Sequence, residues 1–86
     1  MRLRDVLEAA IVEAVWQKGH VVLGFDPAQV RKDDFGWWIR RDAYGTTDEY
    51  GWEVDHIIPD KLRGPDTLEN KRPLHWRNNR SKGARI

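Results

Sequence analysis

A chain of 86 residues supports one domain with a modest core, because small domains bury a smaller share of their surface than large ones. It has no cysteine, which excludes a disulfide framework and a thiolate zinc site as substitutes for that core. The formal net charge of +1 hides an uneven spread: residues 1–60 carry 7 Lys/Arg against 12 Asp/Glu, residues 61–86 carry 8 against 2, and a basic stretch of that kind suits a phosphate-bearing partner.

No apolar run approaches the roughly 18 residues that cross a bilayer, and Asp5 and Glu8 near the start are unlike a signal peptide. The expectation is a cytoplasmic protein without a membrane partner. From Leu3 to about Lys18, the residues Leu3, Val6, Leu7, Ala10, Ile11, Ala14 and Val15 recur at helical spacing, which predicts an amphipathic helix covering one side of the core. A dimerising helix is the alternative. Residues 19–34 hold turn formers Gly24, Asp26 and Pro27 and read as irregular connection. Phe35 to Arg41 is rich in β-forming aromatics, and Tyr44 to Asp48 reads as a loop.

A second strand is predicted over Tyr50 to Ile58, with Trp52, Val54, His56 and Ile58 on one face and Pro59 as its stop. Residues 60–70 form a loop, 71–75 a short return strand, and Trp76 to Lys82 a short helix stopped by Gly83. Trp16, Trp37, Trp38, Trp52 and Trp76 are expected mostly in the core, since each indole buries a large area. The fold class is α+β: an N-terminal helix packed with short strands, then a ββα unit.

In the middle of the second strand a carboxylate, Asp55, adjoins an imidazole, His56. Polar groups near a core are costly unless paired or ligated, so the pair reads either as a structural hydrogen bond or as a site. Neighbours on a regular strand point to opposite faces, so both can serve one site only where the strand twists or ends.

Asn70 follows His56 by 14 residues, and Asn79 follows Asn70 by 9, within Leu74-His75-Trp76-Arg77-Asn78-Asn79-Arg80-Ser81-Lys82-Gly83. This order resembles the HNH nucleases, the ββα-metal endonucleases, closely over residues 50–83. Gly36-Trp37-Trp38-Ile39 and Tyr44-Gly45 resemble the lead-in of small stand-alone members of phage or bacterial type. On that resemblance the chain is one nuclease domain over 1–86, with an N-terminal helix and connection (1–34) and the strands and ββα-metal motif (35–83).

The resemblance implies Asp55 and Asn79 as metal ligands, His56 as general base, and Asn70 as the residue that fixes the base's loop. Oxygen ligands suit one hard divalent ion, Mg2+ or Mn2+, and a neutral imidazole at pH 7 accepts a proton from water. Products would carry 5′-phosphate and 3′-hydroxyl ends. Zinc-supported relatives brace the motif with cysteine pairs; here His75 and Asn78 stand at the downstream pair, so no structural zinc is expected and Trp52 and Trp76 are expected to brace it by packing. His20, His56 and His75 match no zinc spacing, and His20 reads as structural.

The expected DNA contacts are Lys71, Arg72, His75, Arg77, Arg80 and Lys82, on double-stranded DNA and without marked sequence preference, since phosphate contacts position a duplex without reading it. The alternatives are a non-catalytic DNA-binding module and an accessory subunit of a phage packaging or restriction-type assembly. A phage or host assembly partner, a homodimer and an RNA substrate stay open.

Overall fold

The computed structural model describes residues 1–85. Helix α1 spans Leu3–Trp16, a stretch free of Gly and Pro with Asp5 in its first turn, where a carboxylate complements the helix dipole. Its C-terminal half is the part that packs: Val12, Val15 and Trp16 are buried, and they join Ile39 and Trp52 in the core. The predicted stripe is only partly used. Leu3 and Leu7 are 73% and 55% exposed, and Val6 and Ile11 also stay exposed; Leu3, Leu7 and Ile11 border an open hollow shared with Tyr44, Val54 and Lys71 instead of closing on the sheet. Beyond the helix, the Lys18 ammonium donates to the Leu68 carbonyl at 2.7 Å and also to the Lys71 carbonyl.

The connection expected to be irregular contains strand β1, Val30–Lys32, antiparallel to β2, Trp38–Arg40. Three residues are too few to show a period in the sequence. The ribbon is extended by a bridge between His20 and Lys32. Arg31 is buried, and its guanidinium donates to the carbonyls of Pro27, Gln17 and Gly19 at 2.9–3.1 Å, which offsets the cost of taking a charge out of water.

Ile39 points into the core while its neighbours Trp38 and Arg40 face outward, as strand alternation requires. The tryptophans are therefore mostly outside the core, contrary to the composition-based expectation. Trp16 and Trp52 are fully buried with ring centroids 5.3 Å apart, Trp76 is half-buried, and Trp37 and Trp38 are exposed.

Strand β3, Trp52–His56, pairs antiparallel with β4, Lys71–His75, and helix α2, Trp76–Arg85, follows directly. The register sets Asp55 opposite Arg72 and His56 opposite Lys71. Pro73 sits in β4 opposite Val54; a two-stranded sheet has an open edge on each strand, so its missing N–H is tolerated. Helix α2 runs through Gly83 to Arg85 instead of stopping at Lys82, since a single helical glycine costs only about 1 kcal/mol. The architecture is α+β, as expected.

Candidate active site

Asp55 is the fourth residue of β3 and His56 the last. Their opposed directions are reconciled because the strand ends there: the Ile57 and Ile58 amides donate to the Asn70 carbonyl (2.8 Å) and side-chain Oδ1 (2.9 Å) in place of a further ladder. Asp55, His56, Asn79 and Lys82 consequently border one cleft of about 270 Å³, together with Pro59 and Asp60.

Asp55 is 5% exposed and fully engaged. Arg72 Nε donates to Oδ2 at 2.8 Å, and Lys82 Nζ lies 3.0 Å from both Oδ1 and Oδ2. The Lys82 ammonium also donates to the carbonyls of His56 (2.6 Å) and Ile57 (3.2 Å). Four oxygens thus converge on one cation at the cleft. Arg72 is in turn held by Asp34 (3.1 Å), and Asp34 by His20 (2.7 Å). Burial acts upward on the Asp34 carboxyl, but hydrogen bonds from His20 and Arg72 outweigh it and hold its pKa below the usual range. Burial likewise opposes the Arg72 charge and is outweighed by Asp55 and Asp34, which raise its pKa.

Across the cleft, Asn79 Nδ2 donates to Glu53 Oε1 at 3.0 Å. A carboxylate only accepts, so this bond fixes the amide orientation and makes the carbonyl oxygen the atom that Asn79 has to offer. Among the described residues no group of three or more His, Asp or Glu gathers to hold a metal. The donor set is one carboxylate and one amide oxygen beside a nest that already accommodates an ammonium. Such hard oxygen donors fit a divalent ion that keeps much of its water.

Asn70 is buried, and its amide clamps the loop in three places: Oδ1 accepts from the Ile58 amide, and Nδ2 donates to the carbonyls of Ile58 (3.0 Å) and Pro65 (2.9 Å). Gly64 lies under that clamp, where a Cβ would fall on the Ile58 carbonyl oxygen. The loop also delivers Asp66, whose Oδ1 is 3.0 Å from His56 Nε2 and 3.0 Å from Lys71 Nζ. Lys71 and then His56 hold the Asp66 carboxyl below its usual pKa.

The six expected DNA contacts separate into two groups. Arg77 and Arg80 are exposed on α2, each with its guanidinium about 5 Å from the Trp76 ring centroid; Arg80 also lies 3.5 Å from Glu53. Lys82 and Arg72 instead hold Asp55, and buried Lys71 reaches Asp66. His75 is 2% exposed, with Nδ1 accepting from the Arg77 amide (3.1 Å) and Nε2 donating to the Glu49 carbonyl (2.7 Å). It caps α2.

Sequence reasoning missed Asp33, which is 1% exposed. Its Oδ1 accepts from the Phe35 and Trp37 amides, and its Oδ2 from the His75 amide (3.0 Å) and Asn78 Nδ2 (2.8 Å). His75 and Asn78 are therefore tied by one carboxylate. Of the two tryptophans expected to brace the motif by packing, Trp52 opens β3 from within the core, whereas Trp76 is half-buried and its Nε1 donates to the Asp48 carbonyl at 2.8 Å. Glu53 and Asp66 were likewise passed over, because nothing local distinguishes them from solvated acids.

A family model described as HNH endonuclease matches residues 42–85 of the chain, a span that begins ten residues before β3 and takes in the whole ββα unit. No curated protein and no solved structure matches.

Proposed function

Because the chain belongs to the HNH endonuclease family, whose members are generally nucleases acting on DNA, we propose that it is a divalent-metal-dependent endonuclease that hydrolyses DNA phosphodiester bonds. The observation that carries this reading is the meeting of Asp55, His56 and Asn79 in one cleft, beside a loop clamped by Asn70. Asp55 and the Asn79 carbonyl would hold Mg2+ or Mn2+. Bound there, a hard cation stabilises negative charge on the phosphate and on the leaving oxygen.

His56 takes a proton from water as the water oxygen attacks phosphorus, the P–O3′ bond breaks, and the departing O3′ takes a proton from solvent water, leaving 5′-phosphate and 3′-hydroxyl ends. The Asp66 carboxylate at Nε2 requires that nitrogen to carry the hydrogen, so Nδ1 is the basic atom. Asn70 is a positioning residue. Arg77 and Arg80 contact the DNA backbone, and Arg72 and Lys82 govern the charge at Asp55. The protein works inside the cell on DNA; no helix among the described residues is long and apolar enough to cross a membrane.

Supercoiled plasmid incubated with Mg2+, Mn2+ or EDTA tests the reading. Nicked or linear product is expected with either ion and none in EDTA, and His56→Ala should cut about 10² to 10⁴ times more slowly while binding DNA as before. Cleavage in EDTA, or undiminished cutting by the variant, would overturn it. One observation favours a second reading, a DNA-binding module without catalysis: Asp55 is already neutralised by Arg72 and Lys82. That reading predicts DNA binding with no heat of Mn2+ binding in a calorimeter.

A further inference from the structure

Outside the cleft and sharing no residue with it, Trp37, Trp38 and Tyr50 are 43%, 36% and 37% exposed. With His75 and Arg77 they line a groove of about 570 Å³, whose other walls are Gly36 and Glu49. A second hollow of about 250 Å³ shares Trp38 and Tyr50 and adds Phe25 and Arg40. Two adjoining aromatic hollows therefore run along the outer face of β1 and β2. Nothing in the core requires this. The alternation that buries Ile39 puts Trp38 outside, and positions on such a face are ordinarily polar.

The rings are held for use from outside. Trp38 meets Phe25 edge-on at 5.0 Å, and Trp37 packs on His75 at 4.9 Å. Cations accompany them: the Lys32 ammonium lies over one face of the Trp38 ring, 4.6 Å from its centroid, and Arg77 lines the first hollow. Exposed aromatic faces with interleaved cations match one ligand chemistry well, stacked bases whose phosphates are neutralised alongside. A base paired within a duplex shows only its edge in a groove, so its flat face is free only where the strand is unpaired.

We infer that the Trp37–Trp38–Tyr50 face is a binding site for unpaired nucleobases of the substrate strand. This rests on the nuclease reading for its biological setting but not for its test. Arg77 precedes Asn79 by two helical positions, about 200° round α2 at 3.6 residues per turn. A strand laid on the aromatic face therefore reaches the cleft by crossing a helix about 10 Å wide, so the unpaired bases lie a few nucleotides from the bond that is cut. The substrate class is DNA with single-stranded character: a gap, a flap or a junction.

Binding measured in EDTA separates this site from catalysis. The probes are short oligothymidylate, a blunt duplex, and the same duplex with a short single-stranded gap, read by probe anisotropy and by quenching of tryptophan emission. Wild type should bind the oligothymidylate and the gapped duplex at least fivefold tighter than the blunt duplex. Trp37→Ala with Trp38→Ala should weaken single-strand binding about 5- to 100-fold, the range for losing a stacked base, and leave blunt-duplex binding unchanged. Trp37→Leu with Trp38→Leu keeps apolar volume without flat rings and gives the same expectation if the alanine pair does not fold.

Equal affinity for all three probes in wild type would overturn the inference, as would a preference that survives both double variants. So would a wild-type dimer that dissociates in the variants, which would make the face a contact between copies. Plasmid cleavage in Mg2+ without any single-strand preference defeats this inference alone. Tight oligothymidylate binding without cleavage upholds the site and defeats the nuclease reading.

Discussion

At Asp55, a carboxylate 5% exposed lies within hydrogen-bonding reach of two cations of the same chain, Arg72 and Lys82. A buried carboxylate needs such partners, because an unpaired charge in a core is costly. The two cations are not equivalent: Arg72 is anchored from behind by Asp34, whereas the Lys82 ammonium sits among Asp55 and the His56 and Ile57 carbonyls at the cleft itself. On the proposed reading, Lys82 would compete with a divalent ion for Asp55. Lys82→Met should tighten Mn2+ binding about tenfold in calorimetric titration, while the metal-free protein loses about 1.5–3 kcal/mol, the worth of hydrogen bonds to a charged group. Unaltered Mn2+ affinity would show that the ammonium and the ion do not contend for the same oxygens.

Between elements, the loop from β3 to β4 and helix α1 show different kinds of dependence. The loop is fixed by polar bonds converging on Asn70 and by the close approach at Gly64. Gly64→Ala would push the Ile58 carbonyl away from Asn70, so it should lower plasmid cleavage at least tenfold while α1 and the core keep their circular dichroism signal; full activity would mean that the clamp does not position His56. Helix α1 depends on area buried. Trp16→Ala should cost about 3–5 kcal/mol in urea unfolding, because Trp16 is fully buried against Trp52 and its Nε1 donates to the Pro27 carbonyl. Leu7→Ala, at an exposed position of the same helix, should cost less than about 0.5 kcal/mol. A large, concentration-dependent loss at Leu7 would instead place the exposed stripe against a second copy of the chain.

For the whole molecule, the charge asymmetry of the sequence becomes a surface only in part. Of the basic residues near the motif, Lys71, Arg72 and Lys82 are tied to acids inside the fold, while Arg77 and Arg80 stand exposed on α2. Replacing both exposed arginines with alanine should therefore make the slope of log affinity against log salt for a blunt duplex shallower by about 2; an unchanged slope would put the duplex elsewhere. The sequence by itself determined the ββα unit, the adjacency of Asp55 and His56 in its first strand, and the order that continues through Asn70 to Asn79, because strand alternation and the motif spacing are local properties; that the strand stops at His56 and not at Ile58 followed from Asn70 taking the Ile57 and Ile58 amides. It also gave a helix at the start of the chain. Only the tertiary structure decided which side chains work together: Asp33 meets His75 from 42 residues away, Asp34 reaches Arg72 from 38, and Lys82 reaches Asp55 from 27. Acids and bases at such separations look alike in sequence whether they are solvated or paired. The tryptophans carry the same ambiguity, since a large indole suits a core and an exposed binding face equally; Trp38 was left outside by a ribbon with only one covered face, and Trp37 by its place in the turn just before β2.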